Sequence, residues 1–261
     1  MIKRIIDENT IDKEMLEKSY YGRKTLSYLM AYGVKYDFCK FYLLEYESMY
    51  GYIFHMNSTM VVCTEDDIPT EELCDFIEMN MPFRVEVSQS LLPKLERLSN
   101  YHQLRRTMFE ISQKSQININ ELDINDTPKL DDAYSILKEG FPNLLGYDLW
   151  MKDTSHRVRR GISKVYIYKE FTTATLIYDI NNTVLVGQVA TRVVARGSGH
   201  AREFLYWLGS ELKKQQKTAI LFAMDVRRSF YEEIGFKEIM TEYVLERKDI
   251  EKENQQKGAL R

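Results

Sequence analysis

A glycine-containing connection between an apolar run and a strongly periodic segment constrains this chain more than any other feature. The run Val184–Val193 is rich in β-branched residues, which favours a strand. It leads into Arg-Gly-Ser-Gly-His-Ala at 196–201, after which apolar residues recur with helical spacing. The sequence therefore predicts a strand, a tight loop and a helix from about Gly199 to Gln216, an arrangement typical of α/β proteins.

The chemistry of this loop suits an anion. The first backbone N–H groups of a helix have no partner within the helix, and the helix dipole places partial positive charge there. Gly197 and Gly199 allow the backbone to approach a phosphate closely. Arg192, Arg196 and Arg202 add mobile positive charge around the loop. The loop thus predicts a pyrophosphate site, and a connection that binds no ligand is the alternative when the loop is taken alone.

Two other phosphate-binding patterns do not fit this loop. The dinucleotide fingerprint requires a third Gly or Ala three residues after the second Gly, where this chain has Arg202. The nucleotide P-loop requires Gly-Lys-Ser/Thr after its spacer, and that triplet is absent here. Neither kind of site is predicted.

A second motif lies downstream of the loop. The run Thr218–Met224 is continuously apolar, as expected for a strand that is buried on both faces. It precedes Ser-Phe-Tyr-Glu-Glu-Ile-Gly-Phe at 229–236. The loop resembles the Arg/Gln-x-x-Gly-x-Gly/Ala signature of the GNAT acyltransferase superfamily, and the second block resembles that family's Phe-Tyr-x-x-x-Gly-Phe. The resemblance covers about residues 117–247.

The resemblance implies acetyl-CoA as co-substrate and an amine that attacks its thioester directly. The cofactor would lie between the strand that ends near Thr191 and the strand Ala219–Met224, with its pyrophosphate on the loop amides. The residues implied to bind it are Val189, Ala190, Thr191, Arg196, Gly197, Ser198, Gly199, His200 and Ala201. Tyr231 matches the family tyrosine that donates a proton to the departing thiolate. A plain core aromatic is the other interpretation of Tyr231.

Two positions depart from the family pattern. Many members have an Asn about seven residues before the tyrosine, where this chain has Met224, with Asp225 one position later. The strand Val184–Thr191 also carries no carboxylate that could act as general base. Candidates by chemical character alone, each expected to be a surface or structural residue, are Glu139, Asp148, His156, Glu170 and Asp179. A chain of water molecules is the alternative base.

The overall pattern predicts two domains of related outline. Residues 1–115 are expected to form a degenerate GNAT-like domain, 116–249 the GNAT acyltransferase domain, and 250–261 a charged tail. No glycine lies between Gly51 and Gly140, so the first domain is expected to lack a cofactor loop. The expected fold class is α/β (α+β), with a mixed, mostly antiparallel twisted sheet flanked by helices in two tandem GNAT-like domains.

Periodicity and turn residues predict the individual elements. The first 40 residues are expected to be mainly helical, and Asn181-Asn182 is expected to form a tight turn. Strands are expected at 41–63, 84–87, 101–111, 117–124, 164–169, 173–180, 184–193, 218–224 and 239–246. Other helices are expected to begin at a Thr70 cap and to cover 90–98, 127–140, 147–160 and 226–234, the last ending at a left-handed Gly235.

Composition limits the classes of function. The formal net charge is −3, so bulk attraction to nucleic acid is not expected. No apolar stretch approaches the ~20 residues that span a bilayer, so no membrane partner is expected. The 3 cysteines and 4 histidines lack ligand spacing, so no metal site is expected, and His200 is expected to be exposed. The charged start of the sequence lacks a secretory signal, which predicts a cytoplasmic protein.

The predicted function is an N-acyltransferase that moves an acetyl group from acetyl-CoA to a small-molecule or peptide amine. The alternative is a CoA or acyl-CoA sensor that transfers nothing, and a binder that has lost the cofactor is a third possibility. The first domain is expected to cover the acceptor site or to mediate dimer contacts, and the protein to be a monomer or homodimer.

Overall fold

The computed structural model describes residues 1–64, 68–111 and 123–248, which form two compact units. One unit comprises Met1–Arg106 and the chain from Glu242 onward, and the other comprises Thr107–Thr241. The predicted boundary between 115 and 116 and the tail 250–261 lie outside the described residues, so both stay predictions.

The elements of the described residues are numbered in chain order. The strands are β1 (Ile2–Arg4), β2 (Cys39–Tyr46), β3 (Met49–Met56), β4 (Thr59–Thr64), β5 (Arg84–Glu86), β6 (Tyr101–Glu110), β7 (Ile124–Asn125), β8 (Lys164–Tyr168), β9 (Thr172–Ile180), β10 (Thr183–Thr191), β11 (Thr218–Met224) and β12 (Lys237–Arg247). The α-helices are α1 (Lys13–Lys18), α2 (Tyr20–Tyr32), α3 (Glu71–Asn80), α4 (Leu130–Gly140), α5 (Tyr147–Arg159), α6 (His200–Lys214) and α7 (Asp225–Glu233). None of the helices described here is long and apolar enough to cross a membrane.

Both units contain the same order of elements. In the first, β2, β3 and β4 form an antiparallel meander, and α3 then leads to β5, which pairs with β4 in parallel. In the second, β8, β9 and β10 form the meander, and α6 then leads to β11, which pairs with β10 in parallel. A pair of helices precedes each meander, α1 and α2 or α4 and α5. The mostly antiparallel sheets flanked by helices confirm the predicted fold class, and the repeated order of elements is consistent with a tandem arrangement.

The sheet of the second unit is covered on both faces. Because side chains alternate along a strand, Tyr166 and Tyr168 of β8 pack into the apolar cluster that contains Phe204 and Leu208 of α6. Val165 and Ile167 of the same strand pack into a second cluster with residues of α4 and α5. We call these two sides of the sheet the α6 face and the α4 face.

Several element predictions need correction. The first 40 residues are largely helical, but they begin with the strand β1, which pairs with β2. The hydroxyl of Thr70 does not cap α3, because it donates instead to the carbonyl of Lys94. The helix predicted at 90–98 is only a 3-10 turn at Leu92–Leu95, and most of the strand predicted at 117–124 lies outside the described residues.

The first unit also contains a buried ionic cluster, which comprises Lys24, Glu86, Arg106 and Glu242. Lys24 Nζ lies 2.6 Å from Glu86 Oε1, and Arg106 Nη2 lies 3.0 Å from Glu86 Oε2. Arg106 also pairs with Glu242, which accepts a 2.8 Å hydrogen bond from Tyr21. Burial alone would raise the pKa of the Glu86 carboxyl, but Arg106 and Lys24 hold that pKa well below its usual range. Glu86 is therefore a buried carboxylate with two cationic partners.

Candidate functional site

The strands β10 and β11 separate at their C-terminal ends. They pair in parallel only where Thr183–Val186 lies beside Thr218–Leu221. Beyond this, β10 continues to Thr191 and β11 continues to Met224. Backbone groups that face such a gap are available to a ligand, because a sheet partner does not use them.

A β-bulge in β10 lies where the strands begin to separate. Gly187 lies opposite Thr175 of β9, and Ala190 lies opposite Thr173, so β10 has one extra residue in this interval. Gln188 takes up the irregularity with a φ of 52°. A bulge bends its strand, and Val189, the next residue, lines the space beside it.

The gap opens into a cleft of about 480 Å³, which lies entirely within the second unit. Its wall comes from both strands, from the loop before α6, from α7 and from the end of α4. The lining residues include eight of the nine predicted cofactor-binding positions, namely Val189, Ala190, Thr191, Arg196, Gly197, Gly199, His200 and Ala201. Ser198, the ninth, is exposed and is not part of the wall.

The glycine loop has the backbone conformation that its sequence predicts. β10 ends at Thr191 rather than at Val193, and Val193–Ala195 forms a 3-10 turn. Gly197 and Gly199 then have φ values of 81° and 82°, in the left-handed region that favours glycine. A Cβ added at either position would meet only open space, so space for a ligand remains beside the backbone.

Gly199 is also the N-cap of α6, and no side chain caps this helix. The first intrahelical bond at this end runs from the Glu203 amide to the Gly199 carbonyl. The amides of His200, Ala201 and Arg202 therefore begin the helix without a partner in the helix, and all three residues line the cleft. This end of α6 offers several N–H donors together with the positive end of the helix dipole.

The loop is fastened to the end of α4 by Glu139. The Glu139 carboxylate accepts from the Val193 amide at 2.7 Å and pairs with Arg192 at 2.9 Å, and these contacts lower the pKa of its carboxyl. Arg196 donates to the carbonyls of Thr191 at 3.1 Å and Glu139 at 2.7 Å. The expectation of mobile charge is therefore wrong for Arg192 and Arg196, because both hold the loop in place.

The charged residues in the cleft wall are cationic. They are Arg196, Arg202 and Arg227, and no Asp or Glu among the described residues joins them. Arg202 pairs with Glu233 at 2.9 Å, and both side chains are largely exposed. This wall favours a ligand with negative charge.

Tyr231 contributes its ring to the core and lines the cleft. The ring packs against Phe109, Phe230 and Phe236, and its hydroxyl has no hydrogen-bond partner within the described part of the chain. Burial raises the pKa of this phenol to about 12, although Arg227 opposes the shift. Tyr231 therefore stays protonated at neutral pH and can donate a hydrogen bond or a proton into the cleft.

His200 is not exposed as expected, because its ring packs against two aromatic side chains. Its centroid lies 5.8 Å from that of Phe171, in a stacked arrangement, and 6.0 Å from that of Tyr168, edge to face. Its Nδ1 atom is buried without a partner among the residues described. The half-buried ring fixes the first residue of α6 against the sheet.

The candidate bases are not part of the cleft wall. None of the five contributes to it: Glu139, Asp148, His156, Glu170 and Asp179. Asp179 pairs with Lys217 at 2.5 Å.

Met224 lines the cleft at the position where many family members have an Asn, whereas Asp225 does not line it. No group of His, Cys, Asp and Glu side chains that could hold a metal ion is found within 1–64, 68–111 and 123–248.

Sequence reasoning missed several residues of the wall, among them Phe141, Gln188 and Arg227. A glycine inside a strand pattern often marks a bulge, so Gly187 was the available signal for Gln188. Phe141 reaches the cleft because α4 ends tightly against β10. A Cβ on Gly140 would lie 2.8 Å from the Cβ of Ala190.

Solved structures share this fold at low sequence identity. No protein-family profile and no curated protein sequence matches the chain. A Drosophila protein superposes with a TM-score of 0.64 at 8% identity, over 95% of this chain and 98% of that chain. A GNAT-family acetyltransferase from Colwellia psychrerythraea superposes with a TM-score of 0.53 at 14% identity, over 95% of this chain and 100% of that chain. A GCN5-related N-acetyltransferase from Kribbella flavida superposes with a TM-score of 0.52 at 10% identity, over 78% and 88% of the two chains. The chain therefore has the GNAT superfamily fold over most of its length, which confirms the resemblance that its two motifs indicate.

Proposed function

We propose that this protein is an N-acyltransferase that moves an acetyl group from acetyl-CoA to a primary amine by direct attack. One observation carries the proposal. The separated strands, the left-handed glycine loop and the start of α6 meet in a single cationic cleft. Its volume of about 480 Å³ is in the ordinary range for small-molecule sites.

The loop fits the pyrophosphate of this co-substrate. Amides of residues 196–201 and the dipole of α6 would bind the anion, and Arg202 and Arg227 would add charge at the cleft wall. Backbone groups of Val189, Ala190 and Thr191 would hold the pantetheine and the acetyl carbonyl beside the gap between β10 and β11. Acetyl-CoA supplies an activated acyl group, so the protein contributes mainly positioning and stabilisation of the charge that develops on the acyl oxygen.

Tyr231 is the proposed general acid. Tyr231 lines the cleft, and its phenol is protonated at neutral pH, so it could give a proton to the leaving thiolate. No carboxylate in the described wall can accept the proton of the acceptor amine. We therefore assign that step to water in the cleft.

Replacing Tyr231 by Phe is expected to lower kcat about 10²-fold and to leave the affinity for acetyl-CoA unchanged, because only proton donation is lost. Thiol release from acetyl-CoA in the presence of a panel of amines measures the rate, and calorimetry measures the affinity. The matched control is Tyr206→Phe, which removes a buried hydroxyl that donates to the Ile234 carbonyl outside the cleft. A wild-type kcat in Tyr231→Phe would contradict the role of Tyr231 as general acid and would show that it is a core aromatic residue.

A CoA or acyl-CoA sensor is the second candidate function. The carboxylate-free wall and Met224 at the usual Asn position favour it. Saturable binding of acetyl-CoA without accelerated thiol release for any amine in the panel would support the sensor against the enzyme.

The proposed domain organisation assigns the reaction to residues 116–249. The sequence of the domain at 1–115 has no glycine in the connection from β4 to α3, which supports the prediction that this domain has no cofactor loop. We propose that it serves the acceptor site or dimer formation rather than binding CoA.

A further inference from the structure

Gln188 presents an oriented hydrogen-bond donor at the start of the cleft. Its side-chain Oε1 accepts a 3.0 Å hydrogen bond from the hydroxyl of Thr175, which is only 2% exposed. The Nε2 group, with two N–H donors, is the hydrogen-bonding capacity that remains. It has no partner among the described residues, and Gln188 is part of the cleft wall.

The side chain of Gln188 lies on the α4 face of the sheet. Ala174 and Leu176 of β9 pack into the cluster on the α6 face. Thr175 lies between them, so it points to the opposite side, and Gln188 bonds to it there. Phe141, at the end of α4, joins the wall and is 38% exposed. The α4 side of the cleft thus combines an amide donor with an aromatic surface.

This side is the one left open to the acceptor if the proposed function holds, on which the inference rests. The glycine loop that would bind the pyrophosphate starts α6, so the co-substrate fills the cleft from that end. An acceptor must then approach the acyl carbon from another direction. The α4 side offers that direction.

We propose that Gln188, oriented by Thr175, is a specificity-determining residue that selects amines carrying a carbonyl or carboxylate oxygen close to the nitrogen. The free N–H group of Gln188 can form a hydrogen bond with an oxygen atom of the substrate amine. A substrate amine without such an oxygen leaves the N–H group unpaired and gains no stabilisation from it. Phe141 adds a preference for an apolar group. The described wall has no carboxylate to pair with a second ammonium, so amino-acid-like or peptide amines fit better than polyamines.

A matched pair of acceptors tests this assignment. Phenylalaninamide and phenethylamine share the amine and the ring and differ by the carboxamide. The wild type is expected to prefer phenylalaninamide in kcat/KM by about 10-fold, the value of one hydrogen bond. Gln188→Leu is expected to abolish the preference while acetyl-CoA affinity stays constant. Gln103→Leu, at an exposed position of β6, is the control and should keep the preference.

Two further variants test the same inference in case Gln188→Leu does not fold. Gln188→Asn tolerates the left-handed backbone but is too short to reach both partners, and Thr175→Val removes the orienting hydroxyl at constant shape. Each is expected to reduce the preference without changing acetyl-CoA affinity. A preference retained in folded Gln188→Asn and Gln188→Leu would overturn the inference alone. Absence of acetyl-CoA binding or of turnover in the wild type would overturn the proposed function with it.

Discussion

Replacing Gly197 and Gly199 together by Val is expected to abolish measurable binding of acetyl-CoA. Both residues have φ near 80°, and a β-branched residue there costs about 1–3 kcal/mol at each position. The loop would leave this conformation, and its amides would no longer converge on the cleft. A penalty of that size lowers the population of the binding-competent loop, and thus the affinity, by roughly 10²-fold or more. Isothermal titration calorimetry measures the change.

Gly161→Val is the matched control for this variant. Gly161 has a φ of 70°, and a Cβ there also meets open space. It lies between α5 and β8 in the same unit, away from the cleft wall. This control should lose stability but bind acetyl-CoA as the wild type does. Unchanged affinity in the double variant, with the fold intact by circular dichroism, would contradict the pyrophosphate site.

Glu86→Gln is expected to lower the free energy of unfolding of the protein by about 3 kcal/mol. The carboxylate is 1% exposed and neutralises both Lys24 and Arg106 in the buried ionic cluster. An amide of the same shape removes the counterion of Lys24 and leaves the buried Arg106 with only Glu242, and uncompensated buried charge is strongly destabilising. Denaturant unfolding followed by circular dichroism measures the loss.

Asp75→Asn is the control for the buried cluster. It removes an ion pair with Arg97 in which both side chains are about half exposed or more, and such surface pairs contribute little. The account expects a clear difference between the two variants. Equal, small losses of stability would show that Glu86 is not an essential counterion.

The same carboxylate predicts a loss of stability in acid. The pKa of Glu86 is below its usual range in the folded protein, so the folded state binds its proton less tightly than the unfolded state does. Its contribution is complete above about pH 5 and is lost as the pH falls below the unfolded value of about 4.3. In Glu86→Gln, the slope of unfolding free energy against pH should be smaller between about pH 5 and 3 than in the wild type. Equal slopes would contradict the assignment.

The parts of the site that depend on local sequence were predictable. Gly197 and Gly199 adopt the left-handed conformation that only glycine accepts readily, and the turn at Asn181 and Asn182 has positive φ at both residues. Helix and strand periodicity placed most elements within a few residues. Gly235, at which the last predicted helix ends, has a φ of 79°, as predicted for a left-handed helix end.

The parts that depend on distant contacts were not predictable. Arg192 and Arg196 looked like free charges, but Glu139, more than 50 residues earlier in the chain, fixes both. The bulge at Gln188 depends on its register with β9, and Gly187 indicates a bulge but does not specify that register. The buried ionic cluster joins charges from α2, β5, β6 and β12, and each of them alone resembles a surface residue. The return of the chain to the first unit after Thr241 is likewise a result of strand pairing.

Calorimetric titration of the wild-type protein with acetyl-CoA tests the central claim most directly. The cationic cleft, the glycine loop and the start of α6 predict saturable binding at one site per chain, with a Kd on the order of 10 µM. The double variant at Gly197 and Gly199 should show none of this binding, and Gly161→Val should retain it. Absence of saturable binding to the wild type at millimolar acetyl-CoA would contradict both the acyltransferase and the sensor.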